Sequence, residues 1–105
     1  MTATELKNKK KITMATVKAF IKKAKNLQIK CLSTFDGMID GSRQLDDVFE
    51  PIKITQHNPE HTFNISGAYF IGRGSRDYFS LYESDTKIGI DVYNSCGNFI
   101  LAIDK

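Results

Sequence analysis

The letters His57-Asn58-Pro59-Glu60-His61 match H-x-x-E-H, the order in which one class of zinc peptidases sets two histidine ligands around a glutamate general base. That chemistry needs both imidazoles on one helical face. Pro59 works against it, because its ring biases Asn58 away from helical angles, and Gln56 and Thr62 offer no apolar side for a helix to bury. The run reads instead as a polar loop over 56–62, with Asn58 as a cap and Pro59 in a first turn. A second group of candidates, Asp36, Asp40, Asp46, Asp47 and Glu50, has the carboxylates that divalent metals and acid-base steps require. Asp36 and Asp40 precede glycines, however, and suit turns, while the other three lack calcium-loop spacing. Cys31 alternates with apolar residues as a small buried side chain would, and Cys96 falls in a turn with no histidine at a telling position. No nucleophile and base pair emerges, so the expectation is a protein that is not an enzyme and uses no metal and no cofactor.

Binding chemistry is easier to find. In Gly72-Arg73-Gly74-Ser75-Arg76 two glycines let backbone amides turn inward as an anion nest, and two arginines supply forked donors for phosphate or carboxylate. Tyr78 follows closely and could stack on a base or a partner side chain. The segment is neither a G-x-G-x-x-G fingerprint nor a P-loop, since no G-K-[ST] follows and no helix stands behind it. Arg73, Gly74, Ser75, Arg76 and Tyr78 are therefore the candidate surface for a partner or a small phosphorylated ligand, although an ordinary strand connection with solvated arginines would look the same.

A third set is electrostatic. The formal net charge is only +3, but residues 1–30 hold nine lysines against Glu5 alone, while residues 31–105 hold six cations against eleven carboxylates. Lys9, Lys10, Lys11, Lys18, Lys22 and Lys25 could track a phosphate backbone, each contact adding salt-sensitive affinity. Lysines without interleaved arginine or aromatic residues also serve simply to keep a helix surface hydrated.

These groups need elements to position them. Residues 1–11 carry little apolar content and read as a flexible basic arm. From Thr13 onward Met14, Val17, Phe20, Ile21 and Ala24 recur at helical spacing. Thr13 can cap this helix, Lys22, Lys23 and Lys25 complement its dipole, and Asn26 suits a left-handed stop. On its wheel Lys18, Lys22 and Lys25 form a ridge beside the apolar stripe, with Lys23 set apart. Past Leu27 the period falls to two, which predicts a strand through Cys31. Asp36-Gly37 signals a tight hairpin, and 48–55 reads as a strand that Pro51 confines to an edge. Runs at 63–71, 77–83, 87–94 and 98–104, divided by short turns, predict an antiparallel meander. The expected fold class is α+β: one N-terminal amphipathic helix packed on a five- or six-stranded antiparallel sheet, forming a single domain over 12–105.

Composition is compatible with that. At 105 residues the chain suits one core, and 41% hydrophobic with 26% charged residues is ordinary for a globular domain. Two cysteines make no disulfide framework, and no apolar run is long enough for a membrane span, so a cytoplasmic protein with no membrane partner is expected.

The stretches Ser33-Thr34-Phe35-Asp36-Gly37-Met38-Ile39-Asp40, Gly74-Ser75-Arg76-Asp77-Tyr78-Phe79 and Val92-Tyr93-Asn94-Ser95-Cys96-Gly97-Asn98-Phe99-Ile100 resemble patterns in small uncharacterised proteins of phages, plasmids and other mobile elements. The resemblance implies a bacterial host cell and a host-directed inhibitor, of anti-CRISPR or other anti-defence type, acting on a host protein or ribonucleoprotein complex through protein-protein interaction. It assigns no activity to any residue. The alternatives from the residues themselves are nucleic-acid binding through the basic arm and helix, and capture of a phosphorylated ligand by 72–76.

Overall fold

A computed structural model describes residues 3–34, 49–52, 54–58, 62–65, 69–71, 77–94 and 97–105. In chain order these form α1 (Ala3–Lys7), α2 (Met14–Lys23), β1 (Gln28–Thr34), β2 (Glu50–Pro51), β3 (Ile54–Asn58), β4 (Thr62–Ile65), β5 (Tyr69–Ile71), β6 (Tyr78–Glu83), β7 (Lys87–Asn94) and β8 (Gly97–Asp104). The architecture is α+β. A five-stranded antiparallel sheet has the order β2-β1-β8-β7-β6, and a separate three-stranded antiparallel sheet has the order β3-β4-β5.

The centre of the larger sheet follows from its sequence. Phe99, Ile100, Leu101 and Ala102 are all buried, as an uninterrupted apolar run requires when both faces of a strand are covered. The turn after β6 is closed locally, the Ser84 amide donating to the Lys87 carbonyl (2.9 Å) and the Lys87 amide to Ser84 Oγ (3.1 Å). It sets the register Tyr78↔Tyr93 through Glu83↔Ile88. Two glycines are there for backbone reasons. A Cβ on Gly89 would stand 1.8 Å from the Leu101 carbonyl oxygen, and Gly97, at φ 146, opens β8 in a conformation that side chains disfavour.

Residues directly opposite in an antiparallel ladder share a face. Ile29, Ile88, Ile90, Val92, Phe99 and Leu101 therefore lie on one face of the sheet, and they form a single buried cluster with Leu6, Ile12, Val17, Phe20, Leu27 and Ile71. The opposite face carries Gln28, Lys30, Tyr78, Ser80, Tyr82, Lys87, Asp91, Tyr93 and Asn98 beside Ile100 and Ala102.

α2 begins where its cap predicts. The Thr13 amide donates to Thr16 Oγ1 and the Thr16 amide to Thr13 Oγ1, both at 3.3 Å, satisfying two amides that the first turn leaves open. The helix ends at Lys23, with Ala24 already extended, so the left-handed stop expected at Asn26 is not what ends it; Asn26, at φ 57, turns the chain two residues later, toward β1. Pro51 lies in β2 at the sheet edge, where a missing amide donor disrupts no inner ladder.

Three expectations change. Residues 1–11 include a helical turn, and Leu6 is completely buried in the core cluster. One leucine and Ile12 suffice to hold the segment, since burying each contributes about 1.5–3 kcal/mol. The run 63–71 divides into β4 and β5, which join β3 in the second sheet instead of extending the first. Alternation specifies a strand and its faces but not which neighbour it pairs with. Within the expected loop 56–62, β3 continues to Asn58, which pairs with Thr62, so Asn58 ends a strand and is no helix cap. The Asp36-Gly37 hairpin lies outside the described residues. Among the described residues no helix is long and apolar enough to cross a membrane.

Candidate nucleic-acid interface

The lysines of the N-terminal third divide according to whether a carboxylate reaches them. Lys7 pairs with Glu83 (3.4 Å), and Lys105 meets the same carboxylate at 2.8 Å. The hydrogen bond from Lys105 is the main cause that holds the Glu83 carboxyl below its ordinary range. Lys87 pairs with Asp104 at 2.5 Å and donates to Gln28 Oε1 at 2.8 Å, and its hydrogen bond likewise lowers the Asp104 pKa. Lys18 is half-buried and has a partner of its own. Lys9, Lys10, Lys11, Lys22, Lys23 and Lys25 are all exposed, and none has an ion pair among the described residues.

Their positions follow from the local fold. Lys9, Lys10 and Lys11 occupy the connection between α1 and α2, whose ends are tied down by Leu6 and Ile12. Lys22, Lys23 and Lys25 occupy the last turn of α2 and the residues after it, before Asn26 reverses the chain. Ten helical residues separate the two groups by about 15 Å along the axis. That length matches about four phosphates of one strand. Lys23, which the ridge reading set apart, is as exposed as Lys22 and belongs with the set, because the last turn of a short helix is open on more than one side.

The other candidate set separates from this one. Arg73, Gly74, Ser75 and Arg76 lie outside the described residues. Tyr78 is placed on the sheet face opposite the core cluster, 66% exposed, with its ring 6.4 Å from that of Tyr93. Tyr93 was missed by sequence reasoning, because a turn at 84–86 would set Tyr78 opposite Val92, whereas the connection takes in Lys87 as well and the register moves on by one residue to Tyr93. On the same face the ammonium groups of Lys87 and Lys30 stand 5.0 and 5.7 Å from the ring centre of Phe49, and Tyr82 packs 6.0 Å from it. Lys30 and Lys87 are thus engaged with a ring.

Two further polar groups stand on this face. Asp91 is raised above the usual carboxylate range by burial. Asn98 Oδ1 is buried and finds no hydrogen-bond partner among the described residues. No group of three or more metal-binding side chains occurs among the described residues. His57 lies in β3, Pro59 to His61 lie outside the described residues, and Asp36, Asp40, Asp46, Asp47 and Cys96 do as well. Comparison with protein-family models, curated proteins and solved structures finds no match, so the functional argument rests on the residues themselves.

Proposed function

We propose that this chain is a non-enzymatic binding module that docks on a polyanion, with the phosphate backbone of a nucleic acid or of a host ribonucleoprotein complex as the partner. One observation carries the reading: six exposed lysines at the two ends of α2 meet no carboxylate among the described residues, although Lys7, Lys87 and Lys105 do. A lysine kept for hydration alone gains by pairing with a nearby acid, whereas a lysine kept for a phosphate does not. In this reading α2 lies on the core face of the sheet through Val17 and Phe20, which turns its lysine-bearing side outward. The absence of arginine in this set favours point-charge contacts to phosphate over readout of base edges, so binding is insensitive to sequence. The likeness to products of mobile elements supports a host-directed inhibitory role but names no surface for it.

The test is fluorescence anisotropy with labelled single-stranded and duplex oligonucleotides across a salt series. Affinity should fall linearly on a log-log plot, and replacing Lys9, Lys10, Lys11, Lys22 and Lys25 by glutamine should flatten the slope by about 0.7–0.9 for each phosphate no longer neutralised. Binding that is absent at low salt, or unchanged in the five-lysine variant, would remove the basis of this reading.

A further inference from the structure

The two edges of the five-stranded sheet are finished differently. β2 is two residues long and contains Pro51, both of which block pairing with another strand. β6 runs for six residues as Tyr78-Phe79-Ser80-Leu81-Tyr82-Glu83, and within 78–82 it has no proline, no charge and no bulge. Tyr78 is 66% and Leu81 39% exposed, and Ser80 is exposed between them. Its chemistry is palindromic about Ser80: aromatic, apolar, serine, apolar, aromatic.

We propose that β6 is the docking edge for a second copy of this chain, the two strands pairing antiparallel about a two-fold axis at Ser80. An axis perpendicular to the sheet keeps each face continuous, so only registers that oppose residues of the same face are allowed. Centring on Ser80 meets that condition. Tyr78 then faces Tyr82 of the partner subunit on the open side, Phe79 faces Leu81 of the partner subunit on the core side, and Ser80 meets its own copy. Every pair is matched in polarity and no two charges oppose. Pairing ends at these five positions, because the next one outward would set Glu83, which Lys7 and Lys105 hold, against Asp77 of the partner subunit, and opposed like charges disfavour a longer ladder.

The open face gains a continuous aromatic row. Within one copy Tyr93 stacks near Tyr78, and Tyr82 near Phe49. Opposing Tyr78 to the partner's Tyr82 joins these two pairs across the axis, once on each side of it. Five residue pairs bury less than the roughly 1,200–2,000 Å² of a standard interface, so the dimer is concentration-dependent. Because the axis is perpendicular to the sheet, both copies present their N-terminal lysines on the same side, doubling the basic surface.

The experiment is sedimentation equilibrium of the whole chain, without nucleic acid, from micromolar to millimolar concentration. Wild type should pass from the mass of one chain to that of two. Ser80→Lys places two like charges on the axis and should stay at one chain, as should Ser80→Glu, while an equimolar mixture of these variants should recover the double mass. Circular dichroism checks that each variant is folded, and Leu81→Lys, at an exposed position, replaces a Ser80 variant that is not, and must also remain at one chain. A wild type of single mass throughout, a Ser80→Lys that associates like wild type, or a mixture that fails to associate would each overturn the proposal. None of these results bears on the lysine reading, which is measured separately with oligonucleotides.

Discussion

One face of the five-stranded sheet carries Ile88, Ile90, Val92, Phe99 and Leu101, none more than 1% exposed, whereas the other carries Lys30, Asp91, Tyr93 and Asn98 around Ile100 and Ala102. Successive residues of a strand alternate between these environments. On the first face a single apolar cluster excludes water, and shape alone decides the fit. On the second, burial is partial and polar groups must find partners among themselves: Lys87 lies over Phe49 and pairs with Asp104, but burial raises the Asp91 pKa, and Asn98 Oδ1 finds no hydrogen bond among the described residues. The contrast teaches where this protein is tolerant. The clustered face carries stability, and the open face and the helical lysines can vary their chemistry without collapsing the fold.

Neighbouring substitutions offer the most direct way to break that comparison. Phe99→Ala should destabilise by about 3–5 kcal/mol, since a fully buried ring leaves a cavity among close-packed neighbours. Tyr93→Ala, on the opposite face and half exposed, should lose no more than about 1 kcal/mol. Chemical denaturation of both variants measures the difference, and equal losses would mean that the open face is as structural as the core.

Gly89→Ala sharpens the comparison from the polar side. Gly89 shares the open face, yet an added Cβ runs into the Leu101 carbonyl oxygen and the Ala102 Cα of the central strand. Backbone must shift to admit it, and a loss of about 1–3 kcal/mol is expected. A neutral result in the same denaturation assay would show that β7 and β8 can separate at this point without penalty.

The smallest effect is electrostatic and differs in sign between two acids of the open face. Asp91 has its pKa raised by burial, so its ionised form opposes folding, and this opposition fades as pH falls through the raised value. Asp104 has its pKa lowered, chiefly by the hydrogen bond from Lys87, so its contribution is complete above the unfolded-state value and is lost as pH falls through the lowered one. At neutral pH Asp91→Asn should raise the melting temperature and Asp104→Asn should lower it, with both differences shrinking on acidification. Thermal melts across acidic to neutral pH check the signs, and a lower melting temperature for Asp91→Asn would show that burial does not oppose the ionised form of that carboxylate.

Much of the N-terminal element was legible in the residues. Thr13 as a cap and the apolar spacing of Val17 and Phe20 are local signals, decided within a few residues by hydrogen bonding and packing, whereas the stop read at Asn26 was misplaced, since Ala24 is already extended. Pro51 at an edge is equally local. The charge surplus of residues 1–30 was visible too, but not its division into engaged and unengaged lysines, because Glu83 comes from the far end of the chain to take Lys7 and Phe49 comes to lie under Lys30.

By itself, then, the sequence determined the α+β class, the helix with its N-terminal boundary, the final three-stranded meander and the sign of the N-terminal surface, since each depends on periodicity, capping or composition. Only the tertiary structure decided that Leu6 is core, that β4 and β5 join β3 rather than the larger sheet, that Phe49 lies under two lysines, and that Tyr78 meets Tyr93 beside the last described strand of that sheet. These outcomes depend on which distant surfaces meet. A pattern of alternating side chains states that a strand has a face to bury but not what will bury it.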